Sequence, residues 1–379
     1  MNKLIIANTE KGLTSVLLEE ENSHARAVRF SVAGDEESFG FGDIFRVRVR
    51  NVTKGLAGAF AELGNGRMAY MNLNRPGVKP GTELTVQISQ EAFGTKLPTV
   101  SEEISLPGEY LVVTNEPGSI AFSRRADFSG ERREQIHACL LPYMTHCGFI
   151  LRTAAENVSE DDLAKEAKKL TEEFERILVK AAHAPAPIRL QSGQSIYLEW
   201  LQGLDKKTLQ EVITDDAASY ETLRAYFEQA GLPAEKLRFY EDPTLPLKNL
   251  YSLEKIREET AGRRVWLKSG AYLVIDRTEA MTVIDVNSGK DEKDAQSPQA
   301  AETINREAAK EVARQLQLRN LSGMVMIDFI NMKRPGAQEE LLSFMRKETE
   351  KDPVYTKVLD ITQLGIMELT RRRIRRPFL

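Results

Sequence analysis

Two aspartates each stand inside a short apolar segment of the chain, and they are the residues best suited to chemistry. Asp285 lies in MTVIDVN, residues 281–287, and Asp328 lies in MVMIDFI, residues 324–330. A carboxylate in such a segment is costly to bury unless it is paired or bound to a metal ion. Mg²⁺ favours one or two protein carboxylates together with waters and substrate phosphate oxygens. The spacing alone fits strand-end or ion-paired carboxylates as well, so at this point these alternatives stay open.

Asn287 is placed to support the first of these carboxylates. It follows Asp285 by two residues, so a continuing strand puts both side chains on one face. Its amide NH₂ can then donate a hydrogen bond to the Asp285 carboxylate and hold its orientation.

The surrounding elements predict how the two aspartates meet. Residues 262–287 indicate three strands with turns at Ser269-Gly270 and Thr278-Glu279. Strand, helix and strand in this order are typical of a crossover unit with parallel neighbouring strands. After residue 330 the chain is predicted to be mostly helical. The helix between the two aspartate segments is indicated by apolar residues spaced by four, at Ile304, Ala308, Val312 and Leu316.

Upstream of this unit, strand patterns precede helices. Residues 1–34 predict a small β-region. Residues 40–100 predict short strands separated by Gly/Pro turns, typical of a small closed barrel such as an OB-fold. Residues 104–190 begin as strands and continue as an amphipathic helix, and residues 194–261 alternate helix and strand. The expected class is α/β (α+β) with several subdomains.

Composition excludes several classes of protein. The 379 residues are 41% hydrophobic and 28% charged, as in ordinary globular proteins. No apolar run is long enough to span a membrane, and the N-terminal apolar stretch is too short for a secretory signal. Two cysteines, Cys139 and Cys147, without a CxxC pair argue against a disulfide scaffold and a structural zinc site. We therefore expect a cytoplasmic protein.

The charge balance leaves room only for local basic patches. Lys and Arg number 52 against 56 Asp and Glu, a net charge of -4, which excludes a protein that is basic throughout. Arg46, Arg48 and Arg50 would share one strand face. The C-terminal segment RRRIRRPFL predicts either nucleic-acid binding or a solvated tail.

The segments around the two aspartates resemble the catalytic signature of the ribonuclease E/G family. These segments are MTVIDVNSG and INREAAKEVARQLQLRNLSGMVMIDFINM. The segments GAFAELGNGRMAYMNL, FSRR, ILRTAA and LGIMELTRRR resemble the same family in the same order, so the resemblance extends over the whole chain. It implies that Asp285 and Asp328 hold a catalytic Mg²⁺ and that Asn287 supports the first of them. Mn²⁺ also suits such a carboxylate site.

The resemblance also implies the reaction. It is endonucleolytic cleavage of single-stranded RNA, in rRNA processing or mRNA decay, leaving a 5′-phosphate and a 3′-hydroxyl. The metal would position water and neutralise the charge that develops on the phosphate.

Three residues of the barrel are implied to bind RNA. Phe60 and Tyr70 match aromatic positions that stack on bases, and Lys96 matches a basic position beside them. Tyr70 stands where better-known members have Phe, and both rings have a face on which a base can stack. The alternative is that both rings belong to the barrel core.

A further set is implied to bind a 5′-monophosphate. Arg124, Arg152 and Thr153 match its phosphate-binding positions, and Val112 matches a backbone contact. Guanidinium groups suit a terminal phosphate because they offer two parallel N–H donors. The alternative is that the two arginines form structural ion pairs. Tyr355 falls where the family places a supporting arginine, a departure from the pattern.

The resemblance implies a particular subdomain order. Residues 1–35 and 196–262 would form an RNase H-like part, interrupted by an OB-fold RNA-binding barrel over 36–103 and a 5′-sensor region over 104–195. A DNase I-like catalytic part would follow over 263–379.

The expected binding partner and the alternative functions follow from the same residues. Single-stranded RNA is the expected partner, with no membrane. A CPxC zinc-linking motif of better-known members is not found before Leu379, so no zinc is expected and the oligomeric state is left open.

The rival function is an RNA-binding protein on the same scaffold with little or no cleavage, although paired carboxylates near RNA phosphates are unfavourable without a metal. Carboxylates alone also fit a metal-dependent nuclease acting on DNA.

Overall fold

The computed structural model describes residues 1–21, 24–33, 39–53, 57–73, 76–289 and 298–378. The chain forms two compact units. The first joins Met1–Asp35 to Gly203–Leu379, and the second is Glu36–Gln202. Helices and strands are mixed in both units, which confirms the expected α+β class with several subdomains.

The elements are numbered in chain order. The described strands are β1 Asn2–Thr9, β2 Gly12–Glu21, β3 His24–Val32, β4 Ile44–Thr53, β5 Gly58–Gly64, β6 Arg67–Asn72, β7 Glu83–Gln90, β8 Thr99–Ser101, β9 Ser105–Pro107, β10 Leu111–Thr114, β11 Ile120–Phe122, β12 Gly148–Leu151, β13 Ile188–Gln191, β14 Leu209–Thr214, β15 Leu237–Phe239, β16 Arg264–Trp266, β17 Tyr272–Arg277, β18 Met281–Asn287, β19 Gly323–Asp328, β20 Thr356–Ile361 and β21 Ile366–Arg371. The described α-helices are α1 Gly130–Leu140, α2 Glu160–His183, α3 Ile196–Gln202, α4 Ala217–Gln229, α5 Leu247–Leu250, α6 Leu253–Ala261, α7 Pro298–Leu318 and α8 Ala337–Thr349.

The N-terminal strands share a sheet with strands from late in the chain. Its order is β15-β14-β1-β2-β3, and β1 runs parallel to β14. Residues 1–32 therefore complete their core with residues from the middle of the chain, including the buried Ile213 and Leu247. A segment this short buries too little surface to fold alone.

In the second unit, β4 to β8 close into a barrel. Their order is β4-β5-β6-β8-β7, and β7 pairs back with β4, so five strands complete the circle. Alternate residues point inward, among them the buried Val47, Ala61 and Met71. This confirms the small closed barrel predicted from the short strands and Gly/Pro turns.

The second unit also holds a four-stranded sheet in the order β11-β12-β10-β9. Helix α2 packs its apolar face on this sheet through residues such as Leu163 and Phe174. Ser159 is the N-cap of this helix, and its hydroxyl accepts the amide N–H of Asp162.

The C-terminal sheet is the element that positions the two aspartates. Its order is β16-β17-β18-β19-β21-β20. One face packs against α7 and α8 through buried residues including Ile284, Ile327 and Val312. The opposite face carries several exposed side chains, which include Val283 and Met324.

The prediction of a mostly helical C-terminus is wrong. Over residues 331–378, which the structure describes, α8 is the only helix, and β20 and β21 form an antiparallel hairpin. In β21 the residues alternate between partly exposed and buried positions, with Met367 and Leu369 buried against the helices. Strand β21 pairs with β19, and this long-range pairing favours a strand over a helix for these residues.

None of the helices that the structure describes is both long enough and apolar enough to cross a bilayer.

Candidate active site

The structure brings Asp285 and Asp328 side by side. Strand β18, helix α7 and strand β19 form a crossover unit, and the two strands pair in parallel with Asp285 opposite Asp328. Neighbouring strands are about 4.8 Å apart, so the two carboxylates start from adjacent backbones. Each aspartate is exposed and belongs to the sheet face opposite the helix-covered core.

Within the described ranges, neither aspartate is neutralised by a basic side chain. Among the residues that the structure describes, no ion pair reaches Asp285 or Asp328, although many of the other acidic groups are paired in this way. The ion-paired alternative is therefore wrong for the described part of the chain. Two adjacent, uncompensated carboxylates repel each other, and this repulsion favours a cation between them.

Asn287 makes the hydrogen bond that its spacing predicts. Its side-chain Nδ2 donates to Oδ2 of Asp285 at 2.8 Å. As far as the described residues reach, the bond leaves Oδ1 of Asp285 and both oxygens of Asp328 for a ligand. The next turn is tight, because a Cβ on Gly289 would lie 2.5 Å from the carbonyl oxygen of Gly270.

Helix α7 also fixes the backbone that follows Asp328. Asn305 is fully buried, its Nδ2 donates to the carbonyl of Ile330 at 2.7 Å, and its Oδ1 accepts the Ile330 N–H at 3.0 Å. Both hydrogen-bonding groups of one backbone residue are thus held two positions beyond the aspartate. The sequence patterns did not single out Asn305. The available signal was an asparagine at a helix position between the apolar residues Ile304 and Ala308.

The donor set fits Mg²⁺ better than zinc. No group of three or more His, Cys, Asp or Glu side chains able to hold a metal occurs in the described ranges. Two carboxylates with open surroundings match the way Mg²⁺ binds, through few protein oxygens, retained waters and phosphate oxygens. Structural zinc takes four protein ligands, which these residues do not provide.

Replacing Asn287 with alanine should weaken metal use without unfolding the sheet. If the carboxylate pair holds the Mg²⁺ that the resemblance implies, the Mg²⁺ concentration for half-maximal RNA cleavage should rise about 10- to 100-fold, because the Asp285 carboxylate loses the amide that orients it. A Mg²⁺ titration of the cleavage rate measures this. Asn249→Ala is the matched control, since Asn249 is exposed on α5 in the same unit. Equal Mg²⁺ dependence of the two variants would contradict the supporting role.

In the barrel, Phe60 and Tyr70 form a pair on the outer surface. They are direct partners on β5 and β6, with ring centroids 5.7 Å apart. Their strand neighbours Ala61 and Ala69 point into the core. The barrel-core alternative for these two rings is therefore wrong. A Cβ at Gly58 would lie 2.5 Å from the Tyr70 hydroxyl, so a larger residue there would displace the Tyr70 ring.

Lys96 lies on the segment that leads to the strand beside Tyr70. The side chain is exposed, and its backbone pairs with Phe93 in a short turn. Two residues later, the carbonyl of Pro98 accepts the Tyr70 N–H at 2.9 Å. The three predicted RNA-binding residues therefore belong to neighbouring segments of the barrel surface.

The arginines of β4 are ion-paired on the barrel surface. Arg46 and Arg48 pair with Glu83, and Arg50 pairs with Glu62. The two glutamates offset two of the three positive charges, so the shared strand face of the three arginines does not make a strongly basic patch.

The predicted phosphate-binding residues meet at one end of the four-stranded sheet. Strands β11 and β12 are parallel, so Arg124 and Arg152-Thr153 follow them at the same end. The hydroxyls of Ser123 and Thr153 lie 2.9 Å apart, which joins the two segments. Val112 stands near the start of β10, paired with Ile150 of β12.

The two arginines of this set do not form structural ion pairs among the described residues. Arg124 is exposed. Arg152 uses Nη1 for two bonds, to the carbonyl of Gly108 at 2.6 Å and to Oε1 of Gln202 at 2.8 Å. Its Nε and Nη2 have no hydrogen bond to any residue that the structure describes. The ion-pair alternative is therefore wrong for the described part of this region.

A buried glutamate holds the loop in front of Val112. Glu166 on α2 accepts the backbone N–H groups of Glu109, Tyr110 and Leu111. Burial raises the pKa of the Glu166 carboxyl, and the three hydrogen bonds act in the opposite direction. The same carboxylate occupies the space where a side chain at Gly108 would stand.

The fold and these sites define a class, a multi-subdomain α+β protein with a carboxylate pair on an open sheet face and a closed barrel. Comparison with known proteins then identifies the family. The family model described as Ribonuclease E/G family matches residues 105–374, and the chain belongs to this family.

Individual relatives are similar over most of the chain. Ribonuclease G of Salmonella typhimurium (strain SL1344) is 30% identical over 358 residues, covering 88% of this chain and 73% of the relative. Ribonuclease G of Escherichia coli (strain K12) is 30% identical over 359 residues, with the same coverage of both chains. Ribonuclease E of Synechocystis sp. (strain ATCC 27184 / PCC 6803 / Kazusa) is 31% identical over 346 residues, covering 90% of this chain and 49% of the relative.

Proposed function

We propose that this protein is a metal-dependent endoribonuclease that cleaves single-stranded RNA in rRNA processing or mRNA decay. The observation that carries the proposal is the pairing of Asp285 with Asp328 on adjacent parallel strands, exposed and without ion pairs among the described residues. Membership of the ribonuclease E/G family supplies the substrate class. We also propose the subdomains that the resemblance implies. These are an RNase H-like part, an OB-fold barrel, a 5′-sensor region and a DNase I-like catalytic part.

The two aspartates would hold Mg²⁺, or Mn²⁺, against the scissile phosphate. When bound, the metal supplies Lewis acidity and lowers the pKa of a coordinated water. Asn287 keeps the Asp285 carboxylate in one orientation through its 2.8 Å hydrogen bond. Asn305 holds the backbone beyond Asp328 through its two bonds to Ile330. In the proposed hydrolysis, water adds to phosphorus and the bond to the 3′ oxygen breaks, which leaves a 5′-phosphate and a 3′-hydroxyl.

The barrel surface would hold the RNA strand. Phe60 and Tyr70 present aromatic faces for bases, and Lys96 supplies a positive charge for the backbone. Stacking on aromatic rings accepts any base, so it suits a single strand of varied sequence. The 5′ end would be held by Arg124, Arg152 and Thr153 next to Val112.

Replacing Phe60 with alanine should weaken RNA binding and leave the barrel intact. One lost stacking contact is worth about 1–3 kcal/mol, so affinity for a short single-stranded RNA should fall about 5- to 100-fold. Fluorescence anisotropy in EDTA measures binding without cleavage. Phe60→Tyr is the conservative control and should bind nearly as the unchanged protein does. If Phe60→Ala binds with unchanged affinity, the stacking role is wrong.

One cleavage experiment tests the proposed activity. A short A/U-rich RNA is presented with a 5′-monophosphate or a 5′-hydroxyl, in Mg²⁺ or in EDTA, beside a DNA of the same sequence. Cuts in RNA that require Mg²⁺ are the expected result, and faster cutting of the monophosphorylated RNA would support the sensor residues. RNA binding without any metal-dependent cut would favour the rival RNA-binding protein, and equal cutting of the DNA would contradict the choice of substrate.

A further inference from the structure

Three side chains near the aspartates are not used by the proposed mechanism. Arg264 and Trp266 lie on β16, and Tyr272 lies on β17. Trp266 pairs with Tyr272, Tyr272 pairs with Asn287, and Val274 pairs with Asp285. Paired residues share a sheet face, so these three side chains project on the same side as the carboxylate pair. We call Arg264, Trp266 and Tyr272 the aromatic platform.

The aromatic platform is held together by its own contacts. The rings of Trp266 and Tyr272 have centroids 5.1 Å apart and are inclined by 57°. The Arg264 guanidinium carbon lies 4.6 Å from the Tyr272 ring centroid and 5.6 Å from that of Trp266. Cation–π contacts of this kind keep the side chains in place. The turn between the two strands is fixed as well, because Oε1 of Glu307 on α7 accepts the backbone N–H of Lys268 at 2.7 Å.

Trp266 is among the most exposed large apolar side chains that the structure describes. Its side chain is 62% exposed, whereas Trp200, the other tryptophan, is 8% exposed. Large aromatic side chains contribute most to stability when they are buried. An exposed indole next to a carboxylate pair therefore offers a flat apolar surface that the fold itself does not cover.

The charge beside this surface is available to an anion. Arg263 forms an ion pair with Asp276, but Arg264 forms none within the described residues and contacts the two rings instead. An RNA strand carries a base and a phosphate in each nucleotide. A ring with a free face and a neighbouring guanidinium match both groups at once.

The distance to the carboxylate pair suits a nearby nucleotide. Strands β16 and β18 are separated only by β17, so the backbones of Trp266 and Asn287 are about 10 Å apart at the usual strand spacing. A base on the aromatic platform would belong to a nucleotide close to the phosphate held by the two aspartates.

We propose that the aromatic platform is a base-binding subsite for single-stranded RNA, with a nucleobase on Trp266 and the adjoining phosphate on Arg264. This inference rests on the proposed function for the position of the scissile phosphate. The subsite holds the strand on the catalytic sheet itself, separately from the barrel, and so sets where cleavage falls relative to the bound base.

Tryptophan fluorescence tests the contact without any cleavage. In EDTA, a short single-stranded RNA should quench Trp266, while the buried Trp200 should change little. Trp266→Phe should remove the quenching and retain binding. Anisotropy of a labelled RNA reports binding independently. Binding without quenching in the unchanged protein would overturn the subsite.

Cleavage kinetics test what the contact does. Trp266→Ala and Trp266→Leu should raise KM about 5- to 100-fold, because one stacking contact is lost, whereas Trp266→Phe should stay near the unchanged protein. Phe239→Ala is the matched control. Phe239 is a half-exposed aromatic residue on the edge strand β15, and its ring contacts that of Tyr220 on α4. Unchanged KM in Trp266→Ala, or KM restored by Trp266→Leu, would overturn base stacking.

The two proposals fail separately. Quenching by RNA with no metal-dependent cleavage would contradict the nuclease and leave the subsite standing. Cleavage with RNA binding that neither quenches Trp266 nor depends on it would contradict the subsite alone. A change of oligomeric state in Trp266→Ala, seen by sedimentation, would assign the surface to contact between copies of the chain and overturn the subsite.

Discussion

Replacing Asp285 or Asp328 with asparagine is expected to lower Mg²⁺-dependent RNA cleavage by at least about 100-fold. Each change removes one charged oxygen ligand while keeping the size of the side chain. Metal stabilisation of a phosphoryl transition state is worth several kcal/mol, and it requires the metal to be held in place. Initial rates on one 5′-monophosphorylated RNA, with Mg²⁺ varied, measure the loss.

A stability measurement separates this role from a structural one. The two carboxylates are adjacent and not ion-paired among the described residues, so their repulsion destabilises the metal-free protein. Removing one charge should therefore raise the melting temperature in EDTA by about 2 °C. Added Mg²⁺ should stabilise the unchanged protein more than either variant, since ligands stabilise the state that binds them.

Asp276→Asn is the matched control for both measurements. Asp276 lies on β17 and is paired with Val283, so it shares the sheet face of Asp285. Its carboxylate is already neutralised by Arg263. Cleavage by Asp276→Asn should stay within about twofold of the unchanged protein, because exposed ion pairs contribute little. A loss of cleavage as large as that of the Asp285 variant would show that removing any charge on this face lowers cleavage. It would contradict the assignment of Asp285 as a metal ligand.

The second large effect is expected at Arg371. Its Nε donates to Oδ2 of Asp352 at 2.7 Å, and its Nη1 donates to Oδ1 of Asn320 and the carbonyl of Leu321. Both charged side chains are 3% exposed. One guanidinium thus joins the end of β21 to the connections that follow α7 and α8. The interpretation of Arg371 as part of a solvated or RNA-binding tail is wrong, because the side chain is buried in an ion pair.

Arg371→Ala should destabilise the unit that carries the carboxylate pair by about 3–5 kcal/mol, because Asp352 is left buried without its partner. For a unit of this size the melting temperature should fall by about 10 °C. Differential scanning calorimetry measures the shift. Lys255→Ala, which removes an exposed pair with Glu259, should shift melting by about 2 °C or less.

A double variant makes the test sharper. Replacing both Arg371 and Asp352 with apolar residues of similar volume should restore part of the lost stability, because neither charge is then left buried alone. If Arg371→Ala melts like Lys255→Ala, the buried pair does not hold the end of β21 to the two connections.

The local sequence patterns determined a large part of the candidate site. Alternation in MTVIDVN placed Asp285 and Asn287 on one strand face, and their hydrogen bond is present. The helix pattern between the aspartate segments required a crossover, and the crossover made β18 and β19 parallel neighbours. The Gly/Pro turns of residues 40–100 indicated the barrel. These inferences depend on residues a few positions apart, whose spacing is preserved in any fold that the segment adopts.

Only the tertiary structure decided which charges and rings stay exposed. Asp285 and Asp328 are 43 positions apart, and their direct pairing depends on how α7 packs between the strands. Arg371 is buried because it donates hydrogen bonds to Asp352 and Asn320, which lie on two other connections of the chain. Burial, pairing and register depend on contacts between residues that are distant in sequence. A local sequence pattern does not identify those contacts. For that reason the sequence indicated the carboxylate pair, whereas the exposed Trp266 beside it became evident only in the folded sheet.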